Sequence, residues 1–349
     1  MLITFYFFAL SALQVPTGIL AERTGERILL VLGTVLAGIG FLLMGLPDGP
    51  GLLAVTLVVA GLGSSVQHPL GSTLVASAYG PEGRRIAIGT YNFSGDLGKM
   101  LFPVVGGLAL AYADWTTIAI GLGGLTVIAA IVLALVLSRM QVGGRPDGRH
   151  ETADQDDAPA GGIHDRKRFL VLSAIAVFDT VTRYGLLTLL PFLLLAHGAN
   201  ESTIGLAFGL LFAGGAAGKF LCGVSAQKWG VLPTVWITET ITGGGILALL
   251  VTSESVTMVL LPIIGAALNG TSSVLYGSVA DYVSADRQAR AYGIFYTVVI
   301  ASGAVSPVAC GVLSDLISLE AALATVAAMA LVALPLSWLL REPVVVSDR

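Results

Sequence analysis

The chain has 349 residues, of which 55 % are hydrophobic and 11 % are charged, and its formal net charge is −4. A soluble domain carries about 25 % charged residues, so this composition and a mean hydropathy of +0.87 indicate an integral membrane protein. The sequence has no basic domain for nucleic acid, no phosphate-binding loop and no cluster of metal ligands, so we expect no enzyme activity, metal or cofactor.

Eleven apolar runs are long enough to cross roughly 30 Å of hydrocarbon, which takes about 20 helical residues each. The runs are 2–20, 29–46, 52–78, 86–112, 116–138, 169–196, 203–224, 232–251, 256–282, 290–316 and 320–340. We therefore predict an all-α membrane bundle with five spans before a polar stretch and six after it. The predicted parts are an N-terminal bundle at 1–140, a linker at 141–168, a C-terminal bundle at 169–341 and a tail at 342–349.

The two groups of spans are copies of one unit. The segment from Gly18 to Gly25 recurs as Gly223 to Gly230, an offset of 205 positions. A second set recurs with an offset of 204 positions, with Gly89, Pro103 and Gly107 matching Gly293, Pro307 and Gly311. A parallel repeat of this kind is one way in which secondary transporters are built. The repeat also places a first helix ahead of Met1, so we expect either a start upstream or a bundle of eleven helices.

Basic residues fall in alternate loops. One set of loops holds Lys and Arg from Arg23 through Arg341, whereas the opposite set holds acids such as Asp48 and Asp114 and no basic residue. This asymmetry predicts a multi-pass protein of the cell membrane whose linker and C-terminus face the cytoplasm. The expected partners are the lipid bilayer, a small-molecule solute and protons, with no nucleic acid, and we expect a monomer.

The repeated loop motif resembles the signature of the major facilitator superfamily, and the plan of two bundles joined by a polar linker resembles that family over the whole chain. The motif residues are Gly18, Glu22, Arg23, Gly25 and Arg27 in the first copy and Gly223, Gln227, Lys228 and Gly230 in the second. Gly18 permits close helix approach, and Gly25 can take the positive φ of a tight turn. The resemblance implies a two-fold pseudo-symmetric transporter whose motif latches the halves on the cytoplasmic side. Uncharged Gln227 leaves the second latch in doubt, and a plain tight turn is the alternative for both copies.

Two further resemblances are more local. Gly95 and Gly98, followed by Pro103 and Gly107, resemble a glycine and proline motif of antiporters in this superfamily, which predicts tight helix packing and a bend. Two short fragments resemble the fosmidomycin-resistance branch of drug efflux proteins. They are the run from Gly63 to Pro69, which includes His68, and the run Arg183, Tyr184 and Gly185 with Pro191.

Ionisable residues inside spans cost several kcal/mol unless they are paired or wetted, so each is a candidate site. Asp179 and Arg183 are four residues apart and share a helix face. At 1.5 Å per residue they lie roughly 15 and 21 Å from Phe169, near the bilayer midplane. We expect Asp179 to carry a coupling proton and Arg183 to bind an anionic group of the solute. A self-neutralising pair that only fixes helix packing is the alternative.

The remaining candidates are assigned by helix. Asp96 and His68 are further proton-coupling candidates, although Asp96 with Lys99 or Lys219 can equally form a structural network at the seam between the halves. His68 can equally bond a carbonyl freed by Pro69. The seam is also expected to hold Gly98, Pro103, Gly107, Pro307 and Gly311. Further solute-binding candidates beside Arg183 are Tyr184, Tyr91, Asn92, Asn269 and Tyr276. Glu239, on a helix expected to be peripheral, is interpreted as a local polar contact.

The leading functional prediction is a secondary transporter working by alternating access that exports a small organic or drug-like compound in exchange for protons. Uptake or facilitated passage of an organic anion, led by Arg183, is the alternative within transport. A non-transporting membrane sensor or scaffold is the alternative from another class, and the buried charged pairs argue against it because a scaffold needs no such costly residues.

Overall fold

The computed structural model describes residues 2–46, 49–79, 81–109, 112–144 and 163–341. The predicted tail and most of the predicted linker lie outside these residues. The described chain is helical, with one isolated antiparallel bridge between Ile163 and Val283. The helices are α1 (Leu2–Ala12), α2 (Gln14–Thr24), α3 (Glu26–Met44), α4 (Gly49–Ser64), α5 (Gln67–Ala78), α6 (Pro81–Ala109), α7 (Trp115–Arg139), α8 (Arg166–Ala196), α9 (Glu201–Trp229), α10 (Val231–Leu249), α11 (Glu254–Ser278), α12 (Gln288–Leu316) and α13 (Leu319–Ser337).

These helices give the eleven predicted spans, because α1 with α2 and α4 with α5 each form one interrupted span. Within the described residues, nine segments are long and apolar enough to cross a membrane, and α6 and α10 complete the set. The apolar side chains of α7 show where lipid lies, since Ile128, Ile131 and Leu135 are each more than half exposed. One boundary differs from the prediction: α8 begins at Arg166, so the last residues assigned to the linker belong to a helix.

Two prolines explain the interrupted spans, which the sequence analysis predicted as continuous. Pro16 and Pro69 are each the third residue of the second segment, in α2 and α5. Proline has no N–H to donate to the carbonyl four residues earlier. The affected carbonyls belong to Ala12, the last residue of α1, and to Ser65, which lies between α4 and α5.

The described chain divides into two compact units. The first comprises Met1–Arg84, Ser94–His164 and Val279–Ala304, and the second comprises Arg85–Phe93, Asp165–Ser278 and Val305–Arg349. In the first unit α3 packs against α4 and α7, and α1 packs against α4. In the second unit the corresponding helices pack in the same way, with α10 against α11 and α13, and α9 against α11. The packing therefore repeats along with the sequence.

Polar caps fix several helix ends. Asp165, Asn200 and Ser318 each accept a hydrogen bond from the backbone N–H three residues ahead, at the starts of α8, α9 and α13. Asp114 caps α7 in the same way, and hydrogen bonds from Thr117 and Thr116 hold the pKa of this exposed carboxyl below its ordinary value. These caps satisfy amides that a helix leaves without partners at its first turn.

Both described ends of the predicted linker are tied to the first unit by backbone hydrogen bonds. The Arg27 N–H donates to the Gly143 carbonyl at 2.8 Å, and the His164 N–H donates to the Tyr282 carbonyl at 3.1 Å. The chain is therefore fixed just before 145–162 and just after it.

Candidate functional site

The strongest candidate site lies in the second unit and is built around one ion pair. Asp179 and Arg183 lie near the middle of the 31-residue α8, and an Arg183 Nη2 donates to Asp179 Oδ2. The Asp179 side chain is 1 % exposed and that of Arg183 is 14 % exposed. The Arg183 guanidinium also interacts with the Tyr276 hydroxyl on α11. The predicted one-face pairing of Asp179 and Arg183 is therefore present, and Tyr276 is the candidate that joins it.

Two further ionisable side chains act on this pair. Lys219 of α9 is 5 % exposed, and its charge acts on Asp179. Glu239 of α10 is 1 % exposed and interacts electrostatically with both Asp179 and Arg183. Lys219 was predicted to lie in a seam network with Asp96, and the structure adds it to the electrostatic surroundings of Asp179.

The other predicted solute-binding residues have varied surroundings. Tyr184 follows Arg183 and is 36 % exposed. Asn269 donates from Nδ2 to the Gly265 carbonyl of its own helix at 3.2 Å. Tyr91 is half-buried, and Asn92 is buried with an Nδ2 group that has no hydrogen-bond partner among the described residues. The buried amide of Asn92 is the one most in need of a ligand or water.

His68 belongs to an aromatic cluster in the first unit. Its ring stacks on Tyr296 of α12 with ring centroids 5.4 Å apart, and Tyr296 shares a hydrogen bond of 2.8 Å with Ser72. Tyr292, one turn earlier, stacks on Tyr296 at 6.2 Å. Asp96 is half-buried on α6, whereas the side chain of Lys99 lies outside the described residues. The structure therefore places His68 against Tyr296 of α12, a residue that was not predicted from the sequence.

The first copy of the repeated motif forms a close contact between α2 and the start of α12. Arg290 Nη2 donates to Glu22 Oε2 at 2.6 Å. A Cβ added at Gly18 would meet the Ala289 carbonyl oxygen and lie 2.9 Å from the Arg290 Cα. Gly25 has φ 81°, which confirms the predicted tight turn. Arg23 and Arg27 line a cavity of about 430 Å³ beside Gly143 and Gly144.

The second copy repeats the backbone contact without the charges. A Cβ added at Gly223 would lie 2.9 Å from the Arg85 carbonyl oxygen of α6, and Gly230 has φ 92°. Gln227, which stands where the first copy has Glu22, is left with a buried Oε1 that has no hydrogen-bond partner among the described residues. Lys228 lies in the last turn of α9. The turn and the close approach are thus duplicated, whereas the Glu–Arg pair is described only for the first copy.

The glycines assigned to the seam are less crowded than those of the loop motif. A Cβ added at Gly311 would meet no described atom within 4 Å, and one added at Gly98 would meet only Phe102 of the same helix, at 3.8 Å. Pro307 lies inside α12 without interrupting it. The surroundings of Pro103 and Gly107 lie outside the described residues. Tight helix contact is instead made about two and a half turns before Gly98, where a Cβ added at Gly89 would lie 2.8 Å from the Lys219 carbonyl oxygen.

Two participants were not singled out from the sequence, and a third was predicted only as a local polar contact. Arg290 was counted only as a loop charge, Tyr296 was not singled out, and Glu239 was assigned to a peripheral contact. The signal for Glu239 was present, because an acid inside a span is a site by default. Arg290 lies at the start of α12, the helix whose Pro307 and Gly311 belong to the sequence repeat. The repeat therefore gave a reason to consider Arg290.

Comparisons with known proteins agree with this architecture. An MFS-type efflux pump of Mycolicibacterium smegmatis is 25 % identical over 308 residues, which cover 82 % of this chain and 70 % of the relative. The structure of the E. coli fucose:proton symporter matches with a TM-score of 0.81 and 13 % identity, over 98 % of this chain and 90 % of that one. The human organic anion transporter MFSD10 (TETRAN) matches with a TM-score of 0.73 and 16 % identity, over 97 % and 83 % of the two chains.

A family model decides the assignment. The model of the Major Facilitator Superfamily matches residues 1–178 and, a second time, residues 172–348. The two matches together span the chain, and the solved neighbours share its helical plan. The protein is therefore a membrane transporter by family and fold, and the chain belongs to the Major Facilitator Superfamily.

Proposed function

We propose that this protein exports a small organic or drug-like solute from the cell in exchange for protons, working as a monomer by alternating access. In this proposal the basic loops, the linker and the C-terminus face the cytoplasm. The observation that carries the proposal is the buried pair of Asp179 and Arg183 near the middle of α8. Charges at this depth are costly, so their retention is best explained by transport chemistry.

The pair provides a mechanism for coupling. Ionised Asp179 holds Arg183, whereas protonated Asp179 releases the guanidinium to a solute group or to Tyr276. Because the two carboxyl states bind Arg183 differently, proton binding and solute binding are linked. Asp96 and His68 remain candidates for a second coupling step, and Tyr184, Tyr91, Asn92 and Asn269 for contacts with the solute.

Two of the similar proteins support the two parts of the proposal. The mycobacterial relative is named as an efflux pump, and the solved neighbour from E. coli is a proton symporter. Export agrees with the first, and proton coupling agrees with the second. The Glu22–Arg290 contact supports the proposed latch, since a charge pair between α2 and α12 can be made and broken as helices move.

Inverted membrane vesicles provide the test. In vesicles from a host that lacks its own drug pumps, respiration acidifies the interior, and we expect ethidium to accumulate until nigericin collapses the pH gradient. Asp179→Asn should abolish this accumulation while permitting exchange of ethidium down its own gradient. Asp315→Asn is the matched control, because Asp315 is an exposed acid at the end of α12. Full-rate accumulation by Asp179→Asn would rule out the proton role of Asp179.

Transport of an organic anion is the second candidate, and the guanidinium of Arg183 favours it. A partly accessible Arg beside a tyrosine hydroxyl is suited to a carboxylate or similar group, and one solved neighbour is an organic anion transporter. The same vesicles separate the two functions when carboxyfluorescein replaces ethidium. Saturable passage of carboxyfluorescein that Arg183→Gln removes, with no passage of ethidium, would support the second candidate.

A further inference from the structure

Glu239 is a buried acid for which the coupling scheme has so far no use. It lies near the middle of α10, is 1 % exposed, and interacts electrostatically with Asp179 and Arg183. Neither of its carboxyl oxygens accepts a hydrogen bond of good geometry from the described residues. An ionised carboxylate in such a place has lost its water without gaining donors, whereas a protonated carboxyl avoids most of that cost.

The hydroxyl groups beside Glu239 also favour a protonated carboxyl. The Thr271 hydroxyl lies next to the Glu239 carboxyl. Thr271 Oγ1 donates to Thr238 Oγ1 at 2.7 Å, and Thr238 Oγ1 donates to the Thr234 carbonyl at 2.9 Å. Each hydroxyl has a single proton, and both protons in this chain are directed away from Glu239. In this arrangement Thr271 accepts from Glu239, and a carboxyl that donates is protonated.

Among the described residues, Asp179 and Arg183 supply the charges that act on Glu239. α10 packs against α9, α11 and α13. Beside Asp179 and Arg183 on α8, the ionisable groups on these helices are Glu201, Lys219, Cys222 and Lys228 on α9, Glu254 and Tyr276 on α11 and Glu320 at the exposed start of α13. Arg183 is the cation that acts on Glu239, and it is already paired with Asp179. Lys219 acts on Asp179.

We propose that Glu239 is a second proton-holding residue of this site, protonated while Arg183 is paired with Asp179. The inference rests on the proposed function in that the coupling reaction uses the Asp179–Arg183 pair. Arg183 interacts with both carboxyl groups. A solute that binds the Arg183 guanidinium therefore changes the proton affinity of Glu239. By linkage, the proton on Glu239 changes the affinity for that solute to the same extent.

Infrared spectroscopy of the purified full chain tests the protonation without any transport. In a detergent free of ester groups at neutral pH, the protein should show the carbonyl stretch of a protonated carboxyl, shifted in D₂O. Glu239→Gln should remove this band, whereas Glu254→Gln should retain it. Glu254→Gln is the matched control, because Glu254 is an exposed acid at the start of α11.

A second variant guards against a Glu239→Gln protein that does not fold. Thr271→Val keeps the carboxyl and removes its acceptor, so the band should move to higher frequency. A wild-type spectrum without the band, a band that Glu239→Gln leaves unchanged, or a band that does not move in Thr271→Val would each overturn the inference. If the infrared band of protonated Glu239 is absent while the protein still transports ethidium, this inference is contradicted and the proposed function is not. A band lost in Glu239→Gln, with no transport of either dye, contradicts the proposed function alone.

Discussion

Two Arg–carboxylate pairs in this protein differ in how far water reaches them. The Asp179–Arg183 pair has a carboxylate that is 1 % exposed, whereas in the Glu22–Arg290 pair the two side chains are 15 % and 24 % exposed. Partial access to water lowers the cost of separating Glu22 from Arg290, so this pair is the better suited to repeated opening. Their positions match the roles proposed for them, a coupling site and a latch.

Removal of the Glu22–Arg290 pair should destabilise the protein modestly. In a double-mutant cycle with Glu22→Gln and Arg290→Gln, we expect a coupling of about 1 kcal/mol, since the pair is short but still reached by solvent. Thermal unfolding in detergent measures it.

The matched control is the cycle of Asp286→Asn and Arg287→Gln. This pair is 3.6 Å apart, and its carboxylate is 54 % exposed. Its coupling should be close to zero. Equal coupling in the two cycles would show that burial does not strengthen the Glu22–Arg290 pair.

At the scale of helices, some glycines lie against a neighbouring helix and others do not, although the sequence around them is similarly apolar. Gly18 lies against the backbone of α12, whereas a Cβ added at Gly95 of α6 would meet no described atom within 4 Å. A methyl group can be added where there is space, but not where it meets a carbonyl oxygen of another helix. Glycine spacing alone therefore does not reveal which of these residues makes a helix contact.

Substitution by alanine should separate the two cases. Gly18→Ala forces α2 away from α12, and we expect a loss of about 1–3 kcal/mol. Gly95→Ala should be neutral or should stabilise its helix by up to about 1 kcal/mol, because alanine favours helix more than glycine does. The readout is the temperature at which each variant loses its monodisperse peak in size-exclusion chromatography. An equal shift for both variants would contradict the Gly18 contact.

The interrupted spans show what the sequence could have predicted at this scale. The lengths and order of the spans follow from the apolar runs and from polar loops such as those at Arg23 and Arg84. The breaks before Pro16 and Pro69 also have a cause that is visible in the sequence, namely the missing N–H of proline. Pro191 and Pro262 lie inside uninterrupted helices, so whether a proline breaks a span depends on packing that the sequence does not display.

At the scale of the molecule, one backbone contact occurs once in each unit. A Cβ added at Gly293 would lie 2.6 Å from the Gln14 carbonyl oxygen, and one added at Gly89 would lie 2.8 Å from the Lys219 carbonyl oxygen. The residue at this contact is Gln14, with a neutral amide, in the first unit and Lys219, with a charged ammonium, in the second. The two copies therefore share the backbone packing but differ in charge.

Exchange of the two side chains tests this division. Lys219→Gln gives the second unit the residue that the first already accommodates, so we expect near-wild-type thermal stability with altered proton coupling. Gln14→Lys places an ammonium at a position that is 0 % exposed, which should cost on the order of 3 kcal/mol. Comparison of the unfolding temperatures decides the matter. If Lys219→Gln destabilises as much as Gln14→Lys does, Lys219 is a structural residue.

The site was less predictable than the fold for a geometric reason. Asp179 and Arg183 are four residues apart on one helix, so their pairing follows from helix geometry alone. Glu239, Tyr276 and Lys219 come from three other helices, and which face each helix turns inward cannot be deduced when apolar residues surround it on all sides. The same limit concealed Tyr296 beside His68.

The two backbone bonds on either side of 145–162 have a practical consequence for genetics. Gly143 is held by Arg27 and His164 by Tyr282, so a break in the covalent chain between them leaves the segment after α7 and the residue before Asp165 each bonded to the first unit. The gene should therefore tolerate being divided there, and the two polypeptides, produced separately in one cell, should assemble into a working transporter. A cut within α7 or α8, beyond these anchors, should not be rescued by co-expression.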